Sequence, residues 1–198
     1  MSKRLLSFFL LVGSGWASPL PQPINCDGQP FLLNPQGKIM VILSSSQPLA
    51  EITREFGSSL YGWQGRDGFR VAVVVDLRKS LGTLFKAWTL GTMKANLDEE
   101  GIEIQPWYRA NGNLGNPRAD LCAIADFDGK VSEALGWGAD ENSMKVSLFG
   151  GDGQKIWGTT NAPSPALMLE QVQKLLGEPI ALPKNAKPKK SRLLKVRS

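Results

Sequence analysis

The 198-residue sequence predicts an α/β sandwich, a mixed central sheet flanked by helices. Two continuous apolar runs, "KIMVIL" and "FRVAVVV", have the Val and Ile content of strands buried on both faces. Segments with helical spacing follow them, and buried strands joined by crossover helices pair in parallel. Near the C-terminus, "MKVSLFGGDGQKIWGTT" reads as two strands around Gly151-Asp152-Gly153, a hairpin that adds an antiparallel edge.

Each element has a local reason. In "CDGQPFLLNPQGK" the turn pairs Asp27-Gly28 and Gln36-Gly37 flank a short apolar segment and predict a small hairpin. After the first strand, Pro48 suits a first helical turn, and Leu49, Ile52, Phe56 and Leu60 recur at helical spacing. After the second, Ser80 is a candidate N-cap, with Leu81, Leu84, Phe85 and Trp88 on one helical face that reads as core. "GIEIQPWYRANGNLGNPRAD" is rich in Gly, Asn and Pro and reads as an irregular insertion with a short strand at 102–104. "LCAIADFDG" predicts a third strand with a turn at Asp128-Gly129, and "KVSEALGWG" a short helix. The last helix has Ser164 as candidate N-cap, Pro165 at its first position, a face of Leu169, Val172 and Leu176, and Gly177 as its stop. Trp63, Trp107 and Trp137 sit beside Gly or Pro and read as loop residues.

Charge and termini bound the setting. Residues 1–17 carry Lys3-Arg4, an apolar run and small residues up to Ala17, the pattern of a cleaved secretory leader. No cysteine follows the run, which argues against a lipid anchor. A Pro-rich segment, 18–23, leads to a domain over 24–177, and residues 178–198 form a basic tail expected to be disordered. The formal charge is +5, yet the tail holds seven basic residues and the leader two. Setting these nine aside, with the tail's one acid, Glu178, leaves 14 Lys and Arg against 17 Asp and Glu, so the domain is mildly acidic. The expectation is a periplasmic or secreted protein whose tail makes weak contact with a polyanion or an anionic membrane, without a specific nucleic-acid module. The chain has no histidine. That excludes Ser-His-Asp and Cys-His mechanisms and makes zinc sites improbable, so neither metal nor cofactor is expected.

Three blocks taken in order, "DGQPFLLNPQGKIMVIL", "LCAIADFDGKVSEALGWG" and "KVSLFGGDGQKIWGTT", resemble the thioredoxin-like superfamily over about residues 24–177. The branches they resemble are the peroxiredoxin-like and exported thiol-oxidoreductase ones. That resemblance implies a thioredoxin-like sandwich. It also implies a Cys-Pro-x-Cys motif opening the first core helix, where free N–H groups and the helix dipole stabilise a thiolate and a second cysteine resolves mixed disulfides. Here the matching positions are Gln47, Pro48, Leu49 and Ala50, with no thiol among them. The peroxidase branch needs Ser or Thr three residues before its cysteine; Ser44 fits, but the cysteine is missing. The family's cis-proline before the hairpin is replaced by Met144 or a neighbour.

The expectation is an exported, non-catalytic thioredoxin-like protein that binds another exported or envelope protein. Ser44, Ser45, Ser46 and Met144 are the candidate binding residues, although such serines more often satisfy local backbone. Asp126 and Asp128 are candidates for an acid–base or metal pair, or for a turn. Cys26 and Cys122 are a candidate disulfide. The alternative is a divergent thiol-disulfide oxidoreductase or peroxiredoxin-like enzyme that uses Cys26 or Cys122.

Overall fold

The computed structural model describes residues 22–33 and 37–182. Residues 1–21, which hold the expected leader and most of the Pro-rich segment, residues 34–36 and residues 183–198 lie outside the described residues. Five strands form one sheet: β1 (Ile39–Ser45), β2 (Phe69–Asp76), β3 (Leu121–Asp126), β4 (Val146–Phe149) and β5 (Lys155–Thr159), in the order β3-β2-β1-β4-β5. β1 runs parallel to β2, from Ile39↔Phe69 to Ser45↔Val75, and β2 runs parallel to β3. β4 is antiparallel to both β1 and β5. The helices are α1 (Ala50–Ser59), α2 (Lys86–Ala110), α3 (Lys130–Ala134) and α4 (Ala166–Leu176).

β1 to β2 to β3 steps twice in the same direction. Right-handed crossovers therefore place α1 and α2 on one face. Alternation along the strands sends Val41, Leu43, Val71 and Leu148 to that face, where Phe56 of α1, Met93 and Tyr108 of α2 and Met168 and Val172 of α4 meet them. The other face carries Met40, Ile42, Ala72, Val74 and Ile124 under α3 and Leu33. Phe56 is fully buried, and truncating it to Ala would cost about 3–5 kcal/mol.

Several expectations need correction. The buried face of α1 is Thr53 and Phe56, flanked by Leu49 and Leu60, whereas Ile52 is exposed. Ser80 caps a 3-10 turn, Leu81–Thr83, by accepting the N–H of Gly82 at 2.9 Å. Leu81, Leu84, Phe85 and Trp88 are all exposed, Trp88 at 62%. The expected irregular insertion with its strand at 102–104 is the second half of α2, which continues through Pro106 to Ala110. Its buried stripe is Thr89, Met93, Leu97, Gly101, Ile104 and Tyr108. Pro106 cannot donate to the carbonyl of Ile102, but Ile102 lies on the exposed side. Gly101 lets α2 come close to Arg118, whose Cβ would be 3.4 Å from any Cβ placed there.

Of the three tryptophans read as loop residues, Trp137 does lie in a loop, though buried, whereas the buried Trp63 ends a 3-10 turn, Tyr61–Trp63, and Trp107 is helical. Ser164 makes no side-chain cap to α4, and Pro165 is the N-cap residue, one place before the first helical position expected for it; Val172 and Gly177 sit as the sequence predicts, with Leu169 and Leu176 partly buried. Among the described residues the N-terminal segment makes single bridges, Ile24↔Pro30 and Asn25↔Ile124, and part of the expected hairpin, 34–36, lies outside them. The chain also packs back on the domain past 177. Trp63 Nε1 donates to Gly177 O at 2.8 Å, and Ile180 N to Gly62 O at 2.9 Å.

Candidate functional site

The three parallel strands end together, and ligands of open α/β sheets bind at such carboxyl ends. β1 ends there at Ser45. The chain then turns, Leu49 N donating to Ser46 O at 3.1 Å, and α1 begins at Ala50. Gln47, Pro48 and Ala50 are exposed, while Ser46 and Leu49 are buried. The first turn of α1 carries Glu51, so the negative charge favoured at a helix N-terminus is supplied by the helix itself.

The serines are tied into the backbone. Ser44 Oγ accepts the Lys145 N–H at 2.8 Å, and Ser46 Oγ donates to Glu141 O at 2.7 Å. Thr53 Oγ1, one helical turn on, lies 2.9 Å from both Ser44 O and Leu49 O. Met144 closes the group, its Sδ lying 3.8 Å from Ser44 Oγ and 4.0 Å from Thr53 Oγ1. No peptide among the described residues is cis. The structure thus brings Ser44, Ser46 and Met144 together, with Thr53 as the member that sequence reasoning missed. Ser45 is half-buried and faces the space between α1 and α2.

Charged residues surround this junction. Asp76 accepts from Arg78 through Nε at 2.9 Å and Nη2 at 2.5 Å, which holds its carboxyl below the usual range. Lys145 is 5% exposed; its ammonium donates to Asp140 O, and burial lowers its pKa. Asp126 and Asp128 do not form a pair. Asp126 is buried and accepts the N–H groups of Val131 and Ser132 at the start of α3. Asp128 is exposed and ion-paired with Lys130 at 2.7 Å.

Both thiols are free and buried, and they belong to different core clusters. The register explains why. Cys26 N donates to Ala123 O at 2.9 Å, next to the Asn25↔Ile124 bridge, so Cys26 shares the face of Ala123 while Cys122 takes the opposite one. Burial pushes the Cys122 thiol up to about 12, and burial with the charge of Asp27 also raises that of Cys26. Neither environment makes a thiolate at neutral pH.

A cavity of about 220 Å³, reached by Ser45 and Thr53 of the junction, opens between α1, α2 and the sheet. Its floor is valine. Gln64 and Glu100 supply polar groups that no motif had indicated.

This order of strands, with a crossover helix on either side of β2 and a closing hairpin, is a thioredoxin-like fold. The chain superposes on a protein of Neisseria meningitidis assigned as a thioredoxin with a TM-score of 0.50 and 13% identity, over 80% of this chain and 89% of that one. Other similar structures are the exposed lipoprotein thioredoxin Etrx1 of Streptococcus pneumoniae (TM-score 0.49, 15% identity, 77% and 97% of the two chains) and StoA of Bacillus subtilis (0.48, 10%, 79% and 98%). No family model and no curated protein matches the chain.

Proposed function

We propose that the chain is an exported, non-catalytic thioredoxin-like protein that works by binding another protein of the cell envelope or exterior. The observation that carries this reading is the junction after β1. Gln47 and Ala50 stand where thiols would be, and Ser44 and Ser46 are committed to backbone partners. An amide cannot replace a thiolate as nucleophile. The surface for a partner lies at the same end of the sheet, just beyond β2. There Leu81, Leu84, Phe85 and Trp88 expose apolar surface beside the start of α2. Exposed aromatic side chains of this kind are the usual anchors of protein interfaces.

The test has two arms. Photo-crosslinking from position 84 in intact cells should trap one protein species, and Phe85→Ser with Trp88→Ser should remove that adduct while leaving the folded protein intact. Retention of the adduct refutes the surface. Purified protein should not turn over insulin-type disulfides or peroxides. The alternative, a divergent thiol oxidoreductase, requires turnover that Cys26→Ser or Cys122→Ser abolishes.

A further inference from the structure

We propose that the cavity between α1, α2 and the sheet binds a small, neutral, apolar molecule of one or two rings that carries a hydrogen-bond donor. Its place in the fold is the first reason. β2 is an interior strand, with β1 on one side and β3 on the other. Such a strand is ordinarily covered on both faces. Yet Val73 and Val75, which point between α1 and α2, are only half-buried. Leu43 and Val71 extend this floor, and Met93 and Leu97 of α2 form one wall. The volume, about 220 Å³, exceeds the ~150 Å³ of an apolar cavity known to hold benzene.

Gln64 is the second reason. It lines the cavity, is 2% exposed, and its Oε1 has no hydrogen-bond partner. The backbone of Gln64 is held firmly, its N–H donating to Tyr61 O at 3.0 Å and its carbonyl accepting from Asn111 Nδ2 at 2.8 Å. The main chain at this position is thus fully paired, and only the side-chain oxygen is left without a partner. Buried acceptors of this kind are rare and are matched when a donor arrives. The third reason is charge. Glu100 lines the same wall, and burial favours its neutral form, while Arg54 stands exposed at the rim. An apolar body with a single N–H or O–H fits these walls better than an ion does.

Indole and benzofuran have nearly the same shape, but only indole has an N–H, so they separate filling from recognition. Titration of the ¹⁵N-labelled full chain with indole should give saturable shifts at Gln64, Val73 and Leu97. Benzofuran should bind at least about fivefold more weakly, the factor expected for one hydrogen bond to a buried acceptor. Gln64→Leu should erase that difference. Val73→Trp, which fills the space with a side chain, should abolish both bindings. The absence of saturable shifts at these residues, or persistence of binding in Val73→Trp, overturns the site. Equal affinity for the two probes in the unaltered protein overturns the role of Gln64 without need of any variant.

Discussion

Arg118 makes four side-chain hydrogen bonds, more than any other cation among the described residues, and replacing it with Met should be costly. Its Nη2 lies 2.7 and 2.9 Å from the two carboxylate oxygens of Asp27, its Nε 2.8 Å from Asp98 Oδ1, and its Nη1 3.1 Å from Leu121 O. One side chain thus joins the N-terminal segment, α2 and β3. It is 17% exposed, against 27% for Asp27 and 54% for Asp98. The charge-assisted bonds to Asp27 are worth about 1.5–3 kcal/mol, and the orphaned Leu121 carbonyl about 1 kcal/mol more. The pair with Asp98 is half in water and adds less than about 1 kcal/mol. Met keeps much of the apolar stem in place. A loss of about 3 kcal/mol follows, since Lys94, 3.9 Å from Asp27, retains part of the charge balance. For a domain of this size that lowers the melting temperature by roughly 6–12 °C. Urea unfolding measures the free energy. Native-state thiol labelling measures where it is lost: Cys26, on the released segment, should label faster, while Cys122 should change little. A loss below about 0.5 kcal/mol, or acceleration at Cys122 before Cys26, would refute the assignment of Arg118 as the tie between these elements.

Burial raises the pKa of Glu100 above its unfolded value, so its protonation adds stability at acid pH, and that contribution is lost as pH rises through the folded value. Glu100→Gln should therefore be the more stable protein at neutral pH, with the gap closing below about pH 4.5; a gap that widens on acidification contradicts the sign. Gly65 has φ +88°, and a Cβ there would stand 2.7 Å from Tyr108 Cα. Gly65→Ala should cost about 2–4 kcal/mol in urea, and a near-neutral result would show that α2 can back away. Cysteines introduced by Gln47→Cys and Ala50→Cys should form an intramolecular disulfide under mild oxidation, because both positions are exposed on one turn. Glu51 should keep the new thiol at position 47 less acidic than a bare helix terminus would; the additional change Glu51→Gln should lower its pKa.

The strands were legible because β-branched runs bounded by turn residues have few other uses, as at Val71, Val73 and Val74. The long helix was not. Its buried stripe includes Thr89 and Gly101 among Met93, Leu97, Ile104 and Tyr108, while two of its large apolar residues, Trp88 and Ile102, face outward. A hydrophobic pattern therefore pointed to the wrong face, and Pro106 looked like a break although it forfeits only one hydrogen bond at a solvent-facing position. At the junction, the lack of a thiol could be read directly from Gln47 and Ala50. The bonding of Ser44 and Ser46 could not, because their partners, Lys145 and Glu141, lie about a hundred residues away. Gln64 and Glu100 gave no signal at all. One sits in a Gly-flanked loop and the other ends an acidic run that reads as a solvated face.

The position of β1 has a consequence for how the chain reaches its native state. It is the first strand made, yet it lies at the centre of the sheet, and Ser44 meets Lys145 across 101 residues. Until the hairpin of β4 and β5 has been synthesised, one edge of the most apolar strand has no native neighbour. Such long-range pairing slows folding, and an open edge in the interval invites pairing with other chains. Refolding at rising protein concentration should therefore lose yield early, before β4 docks, and a peptide spanning β4 and β5 supplied in trans should compete for that edge.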